Sequence, residues 1–144
     1  MVRAALSYFG LIFMLGMVLG TIRTLWLTPA IGATNAVLIE LPIMLLASTY
    51  AARWIVIRRD LREHEAIRMG LLAFLLLMGA EGMLAKTLVG QDLSEWAVEL
   101  VRSPGWIGLA GQIIFGVLPW LAVRLNGSFG SRSQALMKQM QDTS

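Results

Sequence analysis

The chain predicts an all-α, polytopic membrane protein: an antiparallel four-transmembrane-helix bundle with a short amphipathic interfacial helix before the fourth span. Three observations predict it. Of 144 residues, 57% are hydrophobic and 15% charged, and the mean hydropathy of +0.69 is too high for a soluble domain of this size. Four stretches, 4–27, 33–57, 67–89 and 104–123, each supply the roughly 20 residues that a helix needs to cross the hydrocarbon core. The runs are continuous, as in LLAFLLLM from Leu71 to Met78, without the strict alternation of a barrel strand. Residues 1–125 are expected to form the transmembrane domain and 126–144 a mobile cytoplasmic tail.

The first span is longer than the apolar region of a signal peptide and carries Arg23, so it is expected to be a retained anchor. The turn TPAIGATN between spans one and two holds no charge, whereas RWIVIRRDLREHEAIR between spans two and three holds Arg53, Arg58, Arg59, Arg62 and Arg68. Basic loops face the cytoplasm. Arg3, Arg124, Arg132 and Lys138 then fall on the same side, which places both termini in the cytoplasm and fits an even number of crossings. Tryptophans favour the interface, and Trp26, Trp96 and Trp106 fall at the outer boundary, Trp54 and Trp120 at the inner one.

In the connection between spans three and four, Leu93, Trp96, Ala97 and Leu100 share a face, with Glu95, Glu99 and Arg102 turned largely away. That is the pattern of a helix lying on the outer surface. The tail after residue 126 opens with turn residues and should hold one or two helical turns. His64 alternates with Asp60, Glu63, Glu65 and arginines and reads as a solvated residue at an interfacial helix end.

Five polar residues share the outer half of the spans. Counted inward at about 1.5 Å per residue, Arg23 and Lys86 lie roughly 6 Å deep, Glu40 and Gln112 roughly 10–12 Å, and Glu81 roughly 12–14 Å. The inner half offers only Ser7, Tyr8, Ser48, Thr49 and Tyr50. Small residues mark where helices approach in lipid: Gly16, Gly20 and Arg23 share a stripe, as do Ala36, Glu40, Ala47 and Ala51. So do Gly79, Gly82 and Lys86, with Glu81 one step round, and Gly105, Gly108, Gln112, Gly116 and Pro119. A lipid-facing charge at mid-depth costs about 2.5–3.5 kcal/mol, so these groups are expected to form a buried, internally paired cluster. Short connections make spans one and two, and three and four, neighbours. Arg23 is then expected to meet Glu40, and Glu81 to find Lys86 or Arg23, with Gln112, Thr21, Thr24 and Asn35 as hydrogen-bond partners.

Two readings of that cluster follow. Ionisable residues inside membranes mark substrate or proton pathways, so Arg23, Glu40, Glu81, Lys86 and Gln112 are candidates for binding a small polar or zwitterionic species, with Glu81 exchanging a proton. Alternatively the chain is a structural or assembly subunit of a larger membrane complex, and the cluster only fixes helix packing. Pro42 and Pro119 each free a carbonyl one turn back, which near Leu38 or Ile39 would expose backbone oxygen to an ion.

Several chemistries do not fit. No histidine lies in a span to ligate haem, no Glu-x-x-His pair suits a di-iron bundle, and the zero cysteines remove thiolate sites and cysteine catalysis. Methionines such as Met14 and Met17 are ordinary gap fillers rather than copper ligands. The expected cofactor set is none, and the balance leans away from an enzyme. The pI near 10.0 reflects arginines at span ends facing headgroups, not nucleic-acid binding. In length and span count the chain is similar to the small multidrug-resistance transporters, which work as dimers around a membrane glutamate in the first span. Here the first span carries Arg23, so that mechanism does not carry over. The expected setting is the bacterial inner membrane, and the expected partners are the lipid bilayer and a homodimer or a larger membrane complex; GMVLG at Gly16–Gly20 suits either a dimer contact or an internal one.

Overall fold

The computed structural model describes residues 2–142, with the side chains of 89 and 127–142 left out of the description. It is all helical: α1 (Val2–Ile22), α2 (Thr28–Ile31), α3 (Ala33–Arg59), α4 (Glu63–Leu84), α5 (Leu93–Val101) and α6 (Gly105–Asp142), with π-helical turns at Arg23–Leu27 and Ala85–Val89. Among the described residues, four stretches are long and apolar enough to cross a membrane: Val2–Ile31, Ala33–Arg59, Glu63–Leu88 and Gly105–Asn126. The chain is thus built as a multi-pass membrane protein. Each span starts or ends within a few residues of its expected bound.

Helix α1 packs beside α3 and α4, and α6 packs beside the same two. The four therefore form a ring in the order α1, α3, α6, α4. Both expected hairpins are neighbours, while α3 and α4, joined by three residues, stand diagonally opposite. That tight corner has an identifiable chemistry. Asp60 adopts the left-handed conformation (φ 47°) at the end of α3, and the N–H of Leu61 reaches back to Val56 O at 3.2 Å, closing the helix as a Schellman motif. Leu61 packs against the core. Arg62 then begins α4, its N–H donating to the Glu65 carboxylate at 3.0 Å in a capping box.

The core lies toward the α3–α4 corner. Ala4 and Ala5 of α1, Ala51 and Ala52 of α3, and Ala73 of α4 let the backbones approach closely, as small residues do where lipid offers no hydrophobic drive. The tightest contact is between Gly70 and Gly116: a Cβ on Gly70 would stand 1.9 Å from the Gly116 carbonyl oxygen. At this end of the bundle the guanidinium of Arg58 lies over Trp54 at 5.1 Å and that of Arg124 over Trp120 at 4.7 Å. Arg124 also pairs with Glu63 at 3.4 Å.

Two expectations need correcting here. Helix α6 does not stop near 123 but continues to Asp142; the glycines and serines after Asn126 weaken a helix by only about 1 kcal/mol each at most, and no proline breaks the backbone ladder. Helix α5 lies at the surface as expected, with no buried residue, but not all four residues of its expected face turn toward the bundle. Trp96 and Leu93 lie against Gly82 of α4, Leu100 turns inward, and Ala97 stays exposed.

Candidate functional site

Away from the core, the ring of helices opens into a cleft of about 630 Å³ lined by α1, α3, α4, α6 and the end of α5. Its walls are mostly apolar, with leucine the commonest residue, and Arg23, Glu40, Glu81 and Gln112 all project into it. One antiparallel hairpin supplies the first pair: Arg23 Nε lies 3.1 Å from Glu40 Oε2. The other supplies the second: Gln112 Nε2 donates to Glu81 Oε2 at 2.6 Å.

The direction of helical side chains explains why residues at different depths meet. A Cα–Cβ bond tilts toward its helix N-terminus. Arg23 on α1 therefore reaches toward the core while Glu40 on the antiparallel α3 reaches away from it, and the two close the gap. Glu81 on α4 and Gln112 on α6 lie at nearly matching depth, and their side chains meet directly. Both pairs line the same cleft and form one polar band across it.

Arg23 meets Glu40 as the sequence suggests, but Glu81 does not meet Lys86 or Arg23 as an ion pair. Lys86 is exposed and takes no part in the cleft lining. The reason is helical phase: Leu77, Glu81, Leu84 and Leu88 turn into the cleft at regular helical spacing, and Lys86, five residues after Glu81, stands about 140° round the helix from it. Nor is the cluster buried. The Arg23 and Glu40 side chains keep 36% and 15% of their accessibility, and among the described residues no charged side chain is fully buried. The charges sit in an open cleft rather than a sealed core.

The expected hydrogen-bond partners divide. Gln112 serves Glu81, and Thr24 lines the cleft. Thr21 donates to Met17 O at 2.7 Å and Asn35 to Ile31 O at 3.0 Å, so both bond within their own stretch of chain. Gln112 Oε1 is buried without a partner.

Glycines play two parts. Gly16, Gly20, Gly105, Gly108 and Gly111 line the cleft, and a Cβ on Gly20 or Gly108 would meet nothing within 4 Å. Those two leave space, whereas Gly105 and Gly111 admit close neighbours, the Glu99 carbonyl and the Leu41 side chain.

Sequence reasoning missed the polar floor. Tyr8 is fully buried, stacks on Phe115 with centroids 4.4 Å apart and donates its hydroxyl to Phe115 O at 3.0 Å; Ser48 is buried as well. Phe115 is four residues before Pro119, whose missing N–H would otherwise leave that carbonyl without its helical donor. The signal was present as Pro119 and a tyrosine at matching depth. Pro42 is unlike it: Leu38 and Ile39 are both exposed and neither lines the cleft, so no backbone oxygen is offered there to a bound ion.

A second hollow, about 440 Å³ between α4 and α6, is lined by Ile67, Leu71, Phe74, Ile113, Val117 and Trp120 with Gly116 and carries no charge. Among the described residues no three histidine, cysteine or carboxylate side chains gather as a metal site requires. No family model, no curated protein and no solved structure matches the chain.

Proposed function

We propose that this is a small-solute protein of the bacterial inner membrane, with both termini cytoplasmic, which binds or transports a small polar or zwitterionic species in the cleft at the outer end of its bundle. The observation that carries this reading is the convergence of Arg23, Glu40, Glu81 and Gln112, one from each span, on a single open cavity. Its volume of about 630 Å³ lies within the roughly 300–1,000 Å³ of ligand pockets. A cationic and two anionic groups in a mostly apolar wall can hold both ends of a zwitterion, and the low-dielectric surroundings strengthen each contact. Glu81, the carboxylate with no ion-pair partner among the described residues, is the group that would exchange a proton. Orientation is supported by the basic α3–α4 corner and by the two Trp–Arg contacts at the same end, a pattern of the cytoplasmic interface.

A zwitterion such as phenylalanine, titrated calorimetrically into the detergent-solubilised protein, tests the reading. Saturable binding is expected, with a heat that varies with the ionisation enthalpy of the buffer if a proton moves. Glu81→Gln should abolish or weaken it about tenfold or more while the unfolding temperature is kept. The alternative, a structural or assembly subunit, draws on the Arg23–Glu40 pair, which ties the first hairpin together without any ligand. It predicts the opposite outcome: Glu81→Gln destabilises the protein in detergent and no solute binds.

A further inference from the structure

Resting on that reading, the cleft's own charges and hydrogen-bond inventory narrow the chemistry of what it takes. The lining holds one base, Arg23, against two acids, Glu40 and Glu81, and Lys86 contributes nothing. One positive and two negative groups leave one carboxylate in excess when both are ionised. Arg23 is engaged by Glu40 at 3.1 Å, so the excess falls on Glu81, whose hydrogen-bond partner is the neutral amide of Gln112. That amide donates through Nε2 and leaves Oε1 buried and unpartnered. Oε1 is closed to a water-sized approach, which leaves the Glu81 carboxylate as the acceptor that a ligand in the cleft can meet.

We propose that the cleft recognises its ligand by an ammonium group that donates an N–H to the Glu81 carboxylate, beside the Gln112 amide that already donates to it. The charge then balances, and the carboxylate gains a charge-assisted hydrogen bond. A quaternary ammonium matches the charge but has no N–H to give. An anion with no ammonium of its own must share Arg23 with Glu40 and is opposed by Glu81, whereas a zwitterion offsets that opposition with its own ammonium. The body of the ligand is apolar, set by Phe13, Met44, Leu77, Leu109 and Phe115 around the polar band; glycines at 20 and 108 leave the room for it. A primary amine with a hydrocarbon or aromatic body fits, either alone or as the amino end of a zwitterion.

Three probes with one body separate the possibilities on the native protein alone: phenethylammonium, its N,N,N-trimethyl derivative, and phenylacetate, each titrated calorimetrically in a non-ionic detergent. Phenethylammonium should bind saturably, and the trimethyl compound about ten- to hundredfold more weakly, the loss expected when a charge-assisted hydrogen bond is removed. Phenylacetate should neither bind nor compete. Glu81→Gln should lose the preference for the primary amine, whereas Lys86→Gln, outside the cleft, should keep it. Equal binding of the two cations, or binding of phenylacetate, overturns the ammonium assignment while leaving the cleft as a solute site if phenylalanine binds. If none of the three binds to a folded protein, the ammonium assignment falls; if phenylalanine also fails to bind, the solute reading falls with it.

Discussion

Gly70→Val should abolish the native bundle, at a cost above about 3 kcal/mol. The first side-chain carbon alone would stand 1.9 Å from the carbonyl oxygen of Gly116 and 3.0 Å from its carbon. Both are backbone atoms of α6, so no rotamer change relieves the overlap, and α4 and α6 must separate along a contact that also holds Pro119 at 3.5 Å. The reverse substitution is milder. A Cβ on Gly116 would meet Phe74 Cβ at 3.2 Å, which a small shift accommodates, so Gly116→Ala should cost less than Gly70→Ala. Gly79 is the control, since its added Cβ meets nothing within 4 Å, and Gly79→Ala should be neutral or should stabilise by up to about 1 kcal/mol through helix propensity. Denaturant or thermal unfolding in one detergent ranks the four variants, and equal losses at Gly70 and Gly79 would refute the close helix contact.

Tyr8→Phe should cost about 1–3 kcal/mol, because it strips the donor from a carbonyl that the helix cannot satisfy. The cost is expected to depend on Pro119. Replacing that proline with alanine restores an N–H four residues after Phe115, so the Phe115 carbonyl regains a helical partner and the tyrosine hydroxyl becomes dispensable. The Tyr8→Phe penalty measured in a Pro119→Ala background should therefore shrink by about 1 kcal/mol or more, a coupling that a double-mutant cycle reads directly. Additive effects would mean that the Tyr8 hydroxyl does not compensate for the proline. The ring stacking on Phe115 is kept in both tyrosine variants, which isolates the hydroxyl.

Much of the fold is legible in the sequence, for reasons that are physical. Continuous apolar runs of span length leave a membrane helix as the way to satisfy their backbone, and short connections decide that spans one and two, and three and four, lie side by side. The Arg23–Glu40 pair follows from those neighbours and from side chains tilting toward each N-terminus. What the sequence hides is anything that depends on helical phase or on what fills a gap. The stripe of Gly79, Gly82 and Lys86 is regular, but Gly82 packs against Trp96 while Glu81 and Leu84 face the cleft, so Lys86 stays out of the cluster. Glycine is ambiguous in the same way. Gly20 and Gly108 hold space open whereas Gly70 admits a backbone, and a stripe of small residues looks identical in either case. The ring order, with α3 diagonal to α4, decides which stripes face inward, and it is a property of packing that loop lengths do not settle.

The openness of the cleft follows from the same distribution. Core packing concentrates around Tyr8, Met69 and Phe115, and beyond that floor the lining of glycines and charged side chains cannot close on itself. A polar band in a cavity that reaches water can stay ionised without being sealed, which fits the partial accessibility of Arg23 and Glu40.

The absence of cysteine makes the most direct test simple, because single cysteines can be placed without removing any. A thiol reacts with a charged, membrane-impermeant methanethiosulfonate only where water lets it ionise. Gly20→Cys and Gly108→Cys, whose side chains enter the cleft, should be modified in the membrane-embedded protein. Leu46→Cys and Leu75→Cys, 73% and 56% exposed on the bundle's outer surface and therefore facing lipid, should stay unmodified. Modification at both cleft positions and neither lipid position is the predicted result; cleft cysteines as inert as those at 46 and 75 would contradict a shared, water-reaching polar cleft among the four spans.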